Sequence, residues 1–229
     1  MKRIINFIFI LGVALALAAS ANASPIKLSG GTAGTIPGGA INEFIDTGLF
    51  SGPIIGGYYG SQIMVDVPSG ASITLDFFGA EAGYHNEFNF FGSELFAHTG
   101  GEIIATNLTV PLGTYSSVIA GSGVLPFSFD INSDTTSLIN GSNPDDSGGA
   151  ALGPNFFATF NPFGSVAGSG GTEGNVVYLF LDDGGAGPDD NHDDFLVRIS
   201  VKPVPEPNTM LLLGLSLIGL AGISRKLRI

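Results

Sequence analysis

Six aspartates fall within 13 residues in the stretch LDDGGAGPDDNHDDFLVRI: Asp182, Asp183, Asp189, Asp190, Asp193 and Asp194. Carboxylates packed this densely repel one another unless water or a cation neutralises them. Hard cations such as Ca²⁺ take six to eight oxygen ligands at about 2.3–2.6 Å, and a Gly-bent loop between two strands can turn several carboxylates inward. Asp182, Asp183, Asp189, Asp190 and Asp194 are the candidate calcium ligands; the alternative is a solvated acidic hairpin. A second stretch, FFGAEAGYHNEFNFFG, brings Glu81, His85, Asn86 and Glu87 together on a predicted loop and strand. One His and two Glu suit a transition metal, but a His beside carboxylates is more often a hydrogen-bonded surface residue. Asp130, Asn132 and Asp134 begin like an EF-hand loop, which Thr135 and Gly141 break where Gly and Glu are required.

Enzyme signatures are missing. The sequence has no G-x-S-x-G, no H-E-x-x-H and no P-loop, and between residues 24 and 203 the lysines are Lys27 and Lys202. No catalytic residues are therefore expected. Tyr58 and Tyr59 in GGYYGS have the type for stacking on a sugar, although packing at a turn or sheet edge is the commoner use of such a pair, and there is no Trp.

The elements that must position these residues read as strands. Ile73, Leu75 and Phe77 alternate with Thr74 and Asp76; Phe127, Phe129 and Ile131 alternate with Ser128 and Asp130; Phe195, Val197, Ile199 and Val201 do the same opposite Arg198 and Ser200. Val176 to Leu181 is apolar on both faces and predicts a central strand. Further strands are predicted near 44–50, 63–67, 87–96, 115–119 and 155–160, and no segment sustains a helical stripe over ten residues. The expectation is an all-β protein, an antiparallel β-sandwich of jelly-roll-like form, with 140–154 and 162–174 as long loops whose composition suits mobile surface. A β-solenoid would need a fixed repeat, and there is none.

The chain has 229 residues. Residues 24–203 carry 19 acidic side chains against Lys27, Arg198 and Lys202, a net charge of −16. That charge repels phosphate backbones and excludes nucleic acid as a partner. There is no Cys, so stability cannot come from disulfides.

Both ends carry addresses. Lys2 and Arg3 precede an apolar run from Ile4 to Ala19 and the small-residue site Ala21-Asn22-Ala23, the order of a secretory signal peptide over 1–23, cut by signal peptidase after Ala23. Met210 to Ile223 is an apolar run of 14 residues, about 21 Å as a helix against a hydrocarbon core of about 30 Å. Length favours a buried helix; the prolines before it and Arg225, Lys226 and Arg228 after it favour a transmembrane helix with its C-terminus inside.

Val204-Pro205-Glu206-Pro207, the short apolar segment and the basic end over 204–229 resemble the PEP-CTERM sorting signal of exported bacterial proteins. The resemblance implies transient inner-membrane anchoring, cleavage near Pro205-Glu206-Pro207 by the membrane transpeptidase exosortase, and association with extracellular polysaccharide and biofilm matrix at the cell surface. The acidic stretch also resembles a calcium-associated domain of bacterial surface proteins with the motif D-x-D-Y-N-D before an apolar strand. Asp189 and Asp194 match it, whereas Asn191, His192 and Asp193 stand where Asp, Tyr and Asn are expected. Three functions follow, in order of support: a non-catalytic structural or interaction module of the extracellular matrix, a carbohydrate-binding module, and an exported hydrolase.

Overall fold

The computed structural model describes residues 24–38, 40–67, 70–132, 135–149, 153–185, 190–203, 213–217 and 219. Ala23, Asp189, Pro205, Glu206 and Pro207 lie outside them, as do the signal peptide and most of the tail. Residues 213–217 are helical, and among the described residues no helix is long and apolar enough to cross a membrane. Ser24–Lys202 forms one compact unit.

This unit is all-β with antiparallel sheets. Its largest sheet has eight strands. β2 (Thr32–Ile36), β3 (Ile55–Tyr59), β13 (Asn155–Thr159), β15 (Val176–Asp182), β16 (Phe195–Lys202) and β5 (Ala71–Ala82) run side by side in that order. The outer edge of β5 is shared by β9 (Gly113–Ile119), paired along residues 71–77, and β8 (Gly101–Ile104), paired along 79–82. One four-stranded sheet follows the order β10 (Gly123–Val124), β4 (Gln62–Val65), β1 (Ile26–Ser29), β14 (Glu173–Gly174). Another follows β12 (Thr136–Ile139), β11 (Phe127–Ile131), β6 (Asn86–Phe90), β7 (Ser93–His98).

The two small sheets pack on one face of the large one, so the fold is sandwich-like with a divided second layer. Ile73, Leu75, Phe156, Val177, Leu179, Leu181, Phe195 and Val197 from the large sheet share a core with Ile26 and Ile63 of one small sheet and Phe88, Phe127 and Phe129 of the other. Phe127 meets Phe156, and Phe129 meets Phe195, at centroid separations of 5.7 and 6.0 Å. The opposite face buries Tyr59, Phe157, Tyr178, Phe180 and Leu196 beneath Phe44, Leu49 and Phe50. β15 thus buries both faces, as its unbroken apolar run requires.

Several sequence expectations change in detail. Residues 44–50, expected as a strand, open with the helix α1 (Glu43–Asp46), because Asn42 Oδ1 accepts the Ile45 N–H at 3.2 Å as an N-cap and Gly48, at φ 79°, ends the turn. Residues 87–96 are a hairpin rather than one strand: Phe91 and Gly92 both take positive φ, 52° and 71°, and reverse the chain between β6 and β7. β5 runs on through Gly79-Ala80-Glu81-Ala82, predicted as loop, with a bulge opposite Leu196/Val197. Gly79 there has φ 148°, and a Cβ would strike the Ile103 carbonyl.

Candidate metal centre

Strand alternation places the site. Asn155 and Asp182 are cross-strand partners at one end of β13 and β15, on the face that carries Phe157 and Phe180. Asp182 ends β15, and its Oδ1 accepts the N–H groups of Gly184 at 2.9 Å and Gly185 at 2.6 Å, a turn that needs a short acceptor followed by small residues. Its Oδ2 is buried and has no hydrogen-bond partner.

The returning chain is stitched down by backbone contacts. Gly38 N–H donates to Asp190 O at 3.0 Å; Asn42 Nδ2 donates to Asn191 O at 2.7 Å and His192 O at 3.2 Å; Asp193 Oδ2 accepts the Glu43 N–H at 2.7 Å. Asn42 therefore caps α1 with its oxygen and clamps the loop with its nitrogen. Gly38 also leaves room for the Asp190 carboxylate, into which any Cβ there would project.

His192 is fully buried, with φ 61°. Its ring lies edge-on to Tyr59 at 5.5 Å and Phe157 at 6.2 Å. Nε2 faces Asn155 Oδ1 at 2.9 Å, an oxygen placed to accept a hydrogen bond from a protonated Nε2. Nδ1 has no hydrogen-bond partner and lies 3.5 Å from Asp190 Oδ1 and 3.9 Å from Asp182 Oδ2. Asp190 Oδ1 is likewise buried without a hydrogen bond.

Asp146 completes the group from the β12–β13 connection. One ligand atom each from Asp146, Asp182, Asp190 and His192 lies within 4.8 Å of the others, all in buried residues. Residues 140–149 form the expected loop, mostly exposed, but Asn140 and Asp146 turn inward and are buried. Asn140 Nδ2 donates to Ile63 O and Leu125 O at 2.8 Å, Asn143 exchanges two 2.8 Å bonds with the Phe156 backbone, and Asp145 accepts the Thr32 hydroxyl. Asn and Asp that look like loop composition act here as anchors.

Asp183 and Asp194 form a separate neighbourhood. Asp183 Oδ2 accepts Asn86 Nδ2 at 2.6 Å, and Asp194 Oδ2 accepts the Asp183 N–H at 2.8 Å. Burial, with the Asp183 carboxylate next, pushes Asp194 well above the usual carboxylate range; burial also raises Asp182. Like charges 4 Å apart repel by about 4 kcal/mol at an effective dielectric of 20. The corner is therefore costly to keep ionised without a proton or a cation.

The other sequence candidates resolve into packing. His85 lies 3.5 Å from Glu87, and among the described residues the group around His192 is the one cluster with metal-ligand spacing. Asp130 accepts Ser137 Oγ and Asn89 Nδ2, bracing β11 against β12 and β6. Tyr59 is buried and its hydroxyl donates to Thr35 O at 2.7 Å, so it offers no stacking face to solvent. Asp146, His192 and Asn155 were not among the expected ligands or their supports. The signals were a second Asp-Asp pair before Ser-Gly-Gly, at 145–149, echoing the Asp-Asp-Gly-Gly of 182–185, and a His at the motif's aromatic position.

Residues 203–226 match the family described as PEP-CTERM protein-sorting motif. The chain carries that motif, which implies recognition by an exosortase and membrane-associated sorting towards the cell surface. No curated protein matches the chain.

Proposed function

We propose that this chain is an exported surface or matrix protein whose β-domain is a non-catalytic structural or interaction module held among extracellular polysaccharide. The match at 203–226 carries the reading. Signal peptidase removes 1–23 after Ala23, and the apolar segment beyond Pro207 holds the chain in the inner membrane. Exosortase then cuts near Pro205-Glu206-Pro207 and releases the domain to the exterior. A net charge of −16 over 24–203 keeps such a module soluble and away from nucleic acid. The domain holds a divalent cation at its acidic corner, calcium if the carboxylates alone decide it, and the convergence of the buried Asp182 Oδ2, Asp190 Oδ1 and His192 Nδ1, none with a hydrogen bond, supports a bound cation there.

The test is Glu206→Gln in an exosortase-bearing host. Uncleaved protein should accumulate in the inner membrane, while normal release would overturn the sorting reading.

A further inference from the structure

Resting on the reading that the acidic corner holds a cation, we propose that Asp146, Asp182, Asp190 and His192 bind a borderline transition ion of the zinc type, with the imidazole nitrogen as one ligand. Nitrogen is what separates this site from a calcium loop. Ca²⁺ selects six to eight oxygens, whereas imidazole with carboxylates suits Zn²⁺ and its first-row neighbours. Three carboxylates and one imidazole make four ligands, the usual number for a structural zinc site.

The spacing agrees. Zinc bonds of about 2.0–2.1 Å in a tetrahedron set ligand atoms about 3.4 Å apart. His192 Nδ1 stands 3.5 and 3.9 Å from the two nearest carboxylate oxygens, and all four ligand atoms lie within 4.8 Å, so small inward rotations close the shell.

The outer groups have the form that metal ligands need. A ligating His donates its second N–H to a fixed acceptor, as Nε2 does to Asn155 Oδ1, and ligating carboxylates are themselves hydrogen-bonded, as Asp182 Oδ1 is by Gly184 and Gly185. Nδ1, fully buried with no hydrogen bond, points at two carboxylate oxygens at 3.5 and 3.9 Å, too far for a hydrogen bond and close to the ligand–ligand spacing of a metal shell. The competing arrangement is a buried imidazolium held by Asp182 and Asp190, and it requires no metal.

Among the described residues both cores and all the strands lie within Ser24–Lys202, which forms one compact unit, so this fragment is the test object. Stripped of metal with chelator, it is titrated with Zn²⁺, Mn²⁺ and Ca²⁺ by calorimetry and thermal melting, and the Zn²⁺-loaded form is probed by X-ray absorption. The inference expects one Zn²⁺ per chain, one imidazole among oxygen ligands in the absorption spectrum, and no displacement by excess Ca²⁺. Asp146→Asn should weaken Zn²⁺ binding about a hundredfold with the circular dichroism of the stripped protein unchanged. His192→Gln should remove the imidazole signature; should it not fold, the wild-type spectrum still decides. Ca²⁺ binding without Zn²⁺ binding, or a zinc shell without imidazole, overturns this inference and leaves the cation reading standing. No response to any of the three ions overturns both and leaves the buried imidazolium.

Discussion

Asp182 and Asp183 are adjacent in the chain, yet they enter different acidic pockets. Asp182 faces the layer of Phe157 and Phe180, where an imidazole nitrogen and carboxylates from two further stretches of chain meet it. Asp183 turns to Asn86, and its backbone N–H donates to the Asp194 carboxylate. The first group has a buried imidazole nitrogen without a hydrogen bond, and the second has a carboxyl whose pKa burial raises. One run of aspartates is thus divided, where β15 ends, between two sets of partners, and the number of carboxylates in a sequence says little about how they are grouped.

The largest expected effect is that of the ion itself. Zn²⁺ at 100 times its dissociation constant should stabilise the domain by about 2.7 kcal/mol, reversed by chelator, and an unchanged melting temperature would erase the distinction between the pockets. Next come paired substitutions: Asp182→Asn should abolish that gain, whereas Asp194→Asn, close in shape to a protonated carboxyl, should retain it and shift metal-free stability by no more than about 1 kcal/mol. Reversal of this order in melting experiments would move the ion to the second pocket.

The pH dependence of the stripped domain comes third. With Asp182 and Asp194 both raised by burial, the folded state binds more protons than the unfolded state above the ordinary carboxylate pKa of about 3.9, so stability falls as pH rises. The stripped domain should melt higher at pH 5 than at pH 7. Gly38→Ala should have the smallest effect. Its methyl group would push the Asp190 carboxylate aside, weakening Zn²⁺ about tenfold with little change in the stripped protein, as calorimetry would register.

The strands of the large sheet were legible where they alternate or run apolar, because a half-buried strand leaves a period of two and β15 leaves an unbroken run. β2 and β3 were not, since TAGTI and IGGYY carry neither pattern and are set by the neighbours they pair with, while the alternation of IKLS in β1 is only four residues long. At the site, Asp182 and Asp190 could be named from local density alone. Asp146 could not, because 35 residues separate it from Asp182 and only the pinning of the β12–β13 connection by Asn140, Asn143 and Asp145 brings it in. His192 stood in view but as a departure from a motif, and a departure shows its meaning only beside Asn155.

β16 ends at Lys202, and the sorting motif match begins at residue 203. Two residues, Pro203 and Val204, separate Lys202 from Pro205, and the three steps reach at most about 10 Å. Tension applied through the C-terminal end would therefore pass almost without slack into β16, which is zipped to β15 along one edge and to β5 along the other. A pull on that end would load the middle of the broadest sheet, and an edge strand would not be the first to peel.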